Sequence, residues 1–97
     1  MKTHSLKCWR EPFEAVLSGR KTFEYRRDDR GFCEGDEILL CEWDPSKEPA
    51  HSHLFANGWY TGRKLVARVS YILHGGRFGV PEGYVVMSLC DAKEPQP

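Results

Sequence analysis

The chain has 97 residues, 40% hydrophobic and 29% charged, with three Trp, four Tyr and five Phe. That length and apolar content fit one domain with one modest core and exclude disorder throughout. Fourteen Lys/Arg balance fourteen Asp/Glu, which argues against a protein held to nucleic acid by bulk charge alone.

The first predicted element is a short strand from His4 to Trp9, with His4, Leu6 and Cys8 on one face and Ser5, Lys7 and Trp9 on the other. A helix follows. Pro12 suits its first position, Phe13, Val16 and Leu17 form one apolar stripe, and Gly19 fits the left-handed residue that ends many helices. At about two turns it needs packing to persist.

The second strand is expected over Lys21–Arg27. A period of two sets Phe23 and Tyr25 on one face and Thr22, Glu24 and Arg26 on the other. Core packing is the expected role of Trp9 and Tyr25, with a stacking surface as the alternative. A polar turn at Asp28–Gly31 precedes Phe32 and Cys33, and a second turn lies at Glu34-Gly35-Asp36. The third strand, Glu37–Trp43, holds the run Ile38-Leu39-Leu40-Cys41, which suggests burial on both sides.

Asp44–Gly62 reads as one long connection with a turn signal at Asn57-Gly58 and bulky Leu54, Phe55, Trp59 and Tyr60. In the fourth strand Leu65, Ala67, Val69, Tyr71 and Leu73 should face the core. In the fifth, Tyr84–Cys90, Val85, Met87 and Leu89 share a face. The end of the chain, 93–97, reads as a flexible tail. The whole is α+β: a single domain over 1–92, a small, mostly antiparallel β-barrel of about five or six strands, with one short N-terminal helix capping an opening.

Charge is uneven along the chain. Residues 1–30 carry eight Lys/Arg against five Asp/Glu, and residues 31–60 one against six. One basic and one acidic face are expected; such unevenness is also common in small domains. Cys8, Cys33, Cys41 and Cys90 show no C-x-x-C pair and read as reduced thiols in or near the core. His51 and His53 complete no metal-binding spacing, so no metal and no cofactor are expected. No run approaches the ~20 apolar residues of a membrane span, and a soluble, cytoplasmic protein is expected.

Gly19-Arg20-Lys21-Thr22-Phe23-Glu24-Tyr25-Arg26 resembles the G-x-K-x-x-E-x-R signature of ASCH domains, part of the PUA-like superfamily. His4-Ser5-Leu6-Lys7, Asp28-Asp29-Arg30-Gly31-Phe32, Glu42-Trp43-Asp44, Tyr60-Thr61-Gly62-Arg63 and Glu82–Met87 extend the likeness to short ASCH-like proteins of phages and bacteria. The resemblance implies a PUA-like barrel with a cleft beside the signature, and RNA or a modified nucleobase as ligand. Some ASCH proteins are amidohydrolases of acetylated cytidine, with a Thr nucleophile three residues after the Lys. Here that position is Glu24, which would form an anhydride in acyl transfer.

The expected site is Lys21, Glu24 and Arg26, with His4, Lys7 and Arg30 as further ligand contacts. Lys21 suits a phosphate or base carbonyl, or else the helix C-terminus. Glu24 suits an exocyclic amine, or else an ion pair with Arg26. Arg26 suits phosphate, carboxylate or a base face, or else structural pairing. His4 suits the cleft, or else a plain strand start. Arg63, Lys64, Arg68 and Arg77 extend a basic surface or are solvated. Three functions follow: an RNA- or nucleobase-binding module, a nucleoside amidohydrolase with Glu24 as general base, and a phage-type module gripping a protein partner through 44–62.

Overall fold

The computed structural model describes residues 1–45 and 59–95. The elements are β1 (Thr3–Trp9), α1 (Arg10–Leu17), β2 (Phe23–Arg27), β3 (Glu37–Asp44), β4 (Trp59–His74) and β5 (Tyr84–Lys93). The five strands form one curled sheet in the order β1-β3-β4-β5-β2. The fold is α+β, with β1 parallel to β3 and the other three ladders antiparallel. The sheet is a half-barrel rather than a closed one: β1 and β2 are its two edges, with no ladder between them among the described residues.

Side chains bridge that gap. Arg26 Nη2 donates to the Lys7 carbonyl at 2.6 Å, and Arg30 Nη1 donates to the Ser5 carbonyl at 2.6 Å. Two alternate carbonyls on the free edge of β1 are thus satisfied by guanidinium groups from the β2 side, which also blocks a foreign strand from pairing there.

Strict alternation builds the concave side. Leu6 and Cys8 from β1, Ile38 and Leu40 from β3, Leu65, Ala67 and Val69 from β4, and Val85, Met87 and Leu89 from β5 are buried. The expected inward set of β4 holds only as far as Val69. A bulge between Val69 and Tyr71 shifts the register, so Tyr71 is exposed and Ile72 is buried. The β3 run is buried on one side and half-buried on the other, and its alternation carries Glu42 and Asp44 inward.

Helix α1 lies over the concave side with Phe13 and Val16 buried. It begins at Arg10, two residues before Pro12, and Leu17 is exposed at the end of the expected stripe. Gly19 has φ +83°, a left-handed residue just past the helix as the sequence suggests. The long connection contracts at both ends: Asp44 belongs to β3, and Trp59–Gly62 belong to β4. Leu54, Phe55, His51 and His53 lie outside the described residues. β5 runs on to Lys93, which pairs with Val66, so the expected tail loses its first residue to the sheet. Among the described residues, no helix is long and apolar enough to cross a membrane.

Candidate functional site

The expectation for β2 holds in its period and reverses in its direction. Phe23 and Tyr25 are 47% and 48% exposed, while Glu24 is 3% exposed. Trp9, also expected in the core, is 57% exposed. The inward side of β2 is the polar one because Glu24 finds two cations there, and a buried carboxylate is tolerated when both oxygens are satisfied.

Lys21 Nζ donates to Glu24 Oε1 at 2.6 Å, and Arg26 Nε donates to Glu24 Oε2 at 2.8 Å. Strand parity does not govern Lys21. It precedes β2, and its backbone N–H donates to the Ala15 carbonyl near the end of α1. The turn after Gly19 delivers the ammonium to the carboxylate from outside the strand. Arg26 sits on the same face as Glu24, as its spacing predicts, and is also one of the two edge bridges.

Beside these three is a pocket of about 280 Å³ between α1 and the facing sheet edges, lined by Lys7, Cys8, Trp9, Pro12, Lys21, Glu24, Tyr25 and Arg26. Burial pushes the Cys8 thiol up to about 11, with the nearby Glu24 carboxylate adding to the shift. Cys8 is therefore a core thiol and no nucleophile near neutral pH.

The other expected contacts divide. Lys7 lines the pocket, with its ammonium 4.3 Å from the centre of the Trp43 ring. Arg30 holds the Ser5 carbonyl and lies 3.6 Å from Asp29. His4 is not brought to the pocket. It is buried at the start of β1, with Nε2 2.8 Å from Asp36 Oδ2 and its ring 4.7 Å from Phe32.

Asp36 also accepts from the backbone N–H groups of Lys2 and Cys33. The His4 hydrogen bond, more than any other contact, lowers its carboxyl from 3.8 to about 2. A carboxyl more acidic in the folded than in the unfolded chain stabilises the fold above the unfolded pKa, and that stability is lost as pH falls toward the folded one. Thermal midpoints measured from pH 5 down to pH 2 should therefore fall mainly below about pH 4. Asp36→Asn should flatten that decline and lower the plateau by on the order of 1–2 kcal/mol.

A second ionic cluster was not apparent from spacing. Glu42, 3% exposed, accepts from Thr61 Oγ1 at 2.6 Å, Arg63 Nε at 3.0 Å and Arg63 Nη2 at 2.9 Å. Arg63 also pairs with Glu14 of α1, and Arg10 lies 3.7 Å from Asp44. The Arg63 hydrogen bonds, then that from Thr61, hold the Glu42 carboxyl below its usual range. The alternation of Leu40, Glu42 and Asp44 was the one sequence signal that two acids share the core side of β3.

An uncharacterised 12.9 kDa protein of Escherichia phage P2, encoded in the region 3′ of GpA, is 35% identical over 69 residues. The match covers 71% of this chain and 52% of that protein, so the chain aligns with about half the length of its relative. Residues 3–89 match a family described as a domain of unknown function, DUF3850, and the chain belongs to that family.

Proposed function

We propose that the pocket beside Glu24 binds a nucleobase or nucleotide, as part of an RNA-binding module of the ASCH type. The observation that carries this reading is a buried carboxylate, fixed between Lys21 and Arg26, next to a pocket walled by two solvent-reachable aromatics, Trp9 and Tyr25. Aromatic faces accept any base by stacking, and a carboxylate accepts from the exocyclic amine of cytosine. Each Glu24 oxygen accepts one hydrogen bond, from Lys21 or from Arg26, and keeps acceptor capacity for a ligand. Lys21 and Arg26 add positive charge for a carbonyl or phosphate.

For the hydrolase alternative, with Glu24 as general base for water, no specific observation speaks: both Glu24 oxygens already accept from Lys21 and Arg26, and the lining residues include no Ser or Thr as an alternative nucleophile. The protein-partner alternative falls mainly on residues 46–58, outside the described part of the chain.

Titration with the four nucleoside monophosphates, followed by tryptophan fluorescence, tests the proposal. Cytidine monophosphate should bind more tightly than uridine monophosphate. Glu24→Gln should shrink that preference, and Lys21→Ala should weaken binding about tenfold, the scale of one charge-assisted hydrogen bond. Wild-type affinities unchanged in both variants would remove the proposal.

A further inference from the structure

The convex side of the sheet carries an arrangement that shares Lys7 and Trp9 with the Glu24 pocket and extends well beyond it. Strand register sets two rows of side chains across β1, β3 and β4. Lys7 pairs with Cys41, and Cys41 with Lys64. Further along β1 and β3, Trp9 pairs with Trp43, and across an irregularity in the β3–β4 ladder Trp43 pairs with Tyr60, four residues from Lys64. Directly paired residues share a face. This face is the outer one, because Lys7 and Trp9 alternate with buried Leu6 and Cys8, and Cys41 and Trp43 with buried Leu40 and Glu42.

The rows are a cation–thiol–cation line beside a line of three aromatics. The Trp9 and Trp43 rings are 5.6 Å apart, and Tyr60 is 58% exposed. The two lysines stand roughly 10 Å apart across two strand spacings. Neither row contains an acidic side chain. Glu42, the nearest acid of β3, points to the other side and is held by Arg63 and Thr61. A groove of about 420 Å³ has Lys7, Cys41, Tyr60 and Lys64 of this face among its walls; Glu42 and Arg63 also border it, and Trp9 and Trp43 do not. That volume is within the range of small-ligand sites.

Aromatic rings beside lysines that have no acid in their rows, with the Lys7 ammonium over the Trp43 ring and Tyr60 exposed, suit a chain that presents bases and phosphates together. Lys7 lines both this groove and the Glu24 pocket. We infer that the outer face of β1, β3 and β4 is a second nucleotide site, so that a single strand of nucleic acid crosses β1 over Lys7, with one base in the Glu24 pocket and the next stacked among Trp43 and Tyr60. This rests on the nucleotide reading of the Glu24 pocket for the first base, while the outer-face contacts stand on their own residues. A duplex, whose bases are already stacked, does not fit it.

The test compares cytidine monophosphate with a single-stranded RNA hexanucleotide, by fluorescence titration over a range of salt. Tyr60 and Lys64 lie outside the Glu24 pocket and are exposed, so their substitution spares both the pocket and the core. The hexanucleotide should bind wild type more tightly than the mononucleotide. Tyr60→Ala should weaken the hexanucleotide about five- to a hundredfold, Tyr60→Phe should restore it, and mononucleotide affinity should not change. Lys64→Ala should make the salt slope shallower by about 0.7, one phosphate contact on a single strand. Hexanucleotide affinity indifferent to both substitutions, or equal binding of the duplex, would overturn the inference. Hexanucleotide binding that depends on Tyr60 and Lys64 while cytidine monophosphate fails to bind would uphold the outer face and sink the Glu24 reading. Binding of neither probe would sink both.

Discussion

Phe13→Ala is expected to cost about 3–5 kcal/mol, the range for emptying a buried phenylalanine site. A domain of this length has roughly 5–15 kcal/mol in total, so the variant should be near the edge of folding at 37 °C. The reason lies in α1. Eight residues are too few for a helix to persist alone, and its N-cap Trp9 makes no side-chain capping hydrogen bond. Its order comes from Phe13 and Val16 against the sheet. Phe13 is 1% exposed, and the Arg63 guanidinium lies 5.0 Å from its ring. Urea unfolding followed by far-ultraviolet circular dichroism should show a large fall in midpoint, and Phe13→Leu should recover most of it. A midpoint within a few tenths of a molar of wild type would refute this account of the helix.

The second large effect is expected at Arg63. Arg63→Met removes both guanidinium contacts from Glu42 and leaves a buried carboxylate with Thr61 alone. Breaking a buried pair on one side is costly; with Arg63 itself 41% exposed, a loss of about 2–4 kcal/mol at pH 7 is expected. The pH dependence gives the sign. In the wild type the depressed Glu42 carboxyl stabilises the fold above its unfolded pKa of about 4.5. Without its cation, the buried group prefers its proton. The deficit should be full at neutral pH and shrink as pH falls below about 4.5. Adding Glu42→Gln to Arg63→Met should recover part of the loss at pH 7. A deficit constant from pH 7 down to pH 3 would show that Arg63 acts by packing over Phe13 instead.

Much of this architecture was legible in the sequence. The inward sets of β1 and β5 follow plain alternation, and Gly19 marks the end of α1. The meeting of Lys21, Glu24 and Arg26 also follows from the signature, although by a route that spacing alone does not supply. What misled was hydropathy in β2. Phe23 and Tyr25 outrank Glu24 on any transfer scale, yet the carboxylate goes inside because its partners arrive from a turn and from its own strand. Tyr71 turns outward for a different reason. A bulge adds one residue to the count, and nothing in an unbroken run of β-formers announces where. The Glu42–Arg63 pair and the Trp9-Trp43-Tyr60 row join residues far apart in the chain. They become visible only once the order β1-β3-β4-β5-β2 is known.

That order also bears on how the polypeptide is made. The two strands synthesised first flank a meander that is synthesised last: β1 waits for β3, and β2 has no neighbour until β5 exists. During translation the opening thirty residues therefore emerge from the ribosome without their hydrogen-bonding mates. Phe13 and Val16, whose helix packs on β5 as well as on β1 and β3, gain their full cover only once β5 has been made.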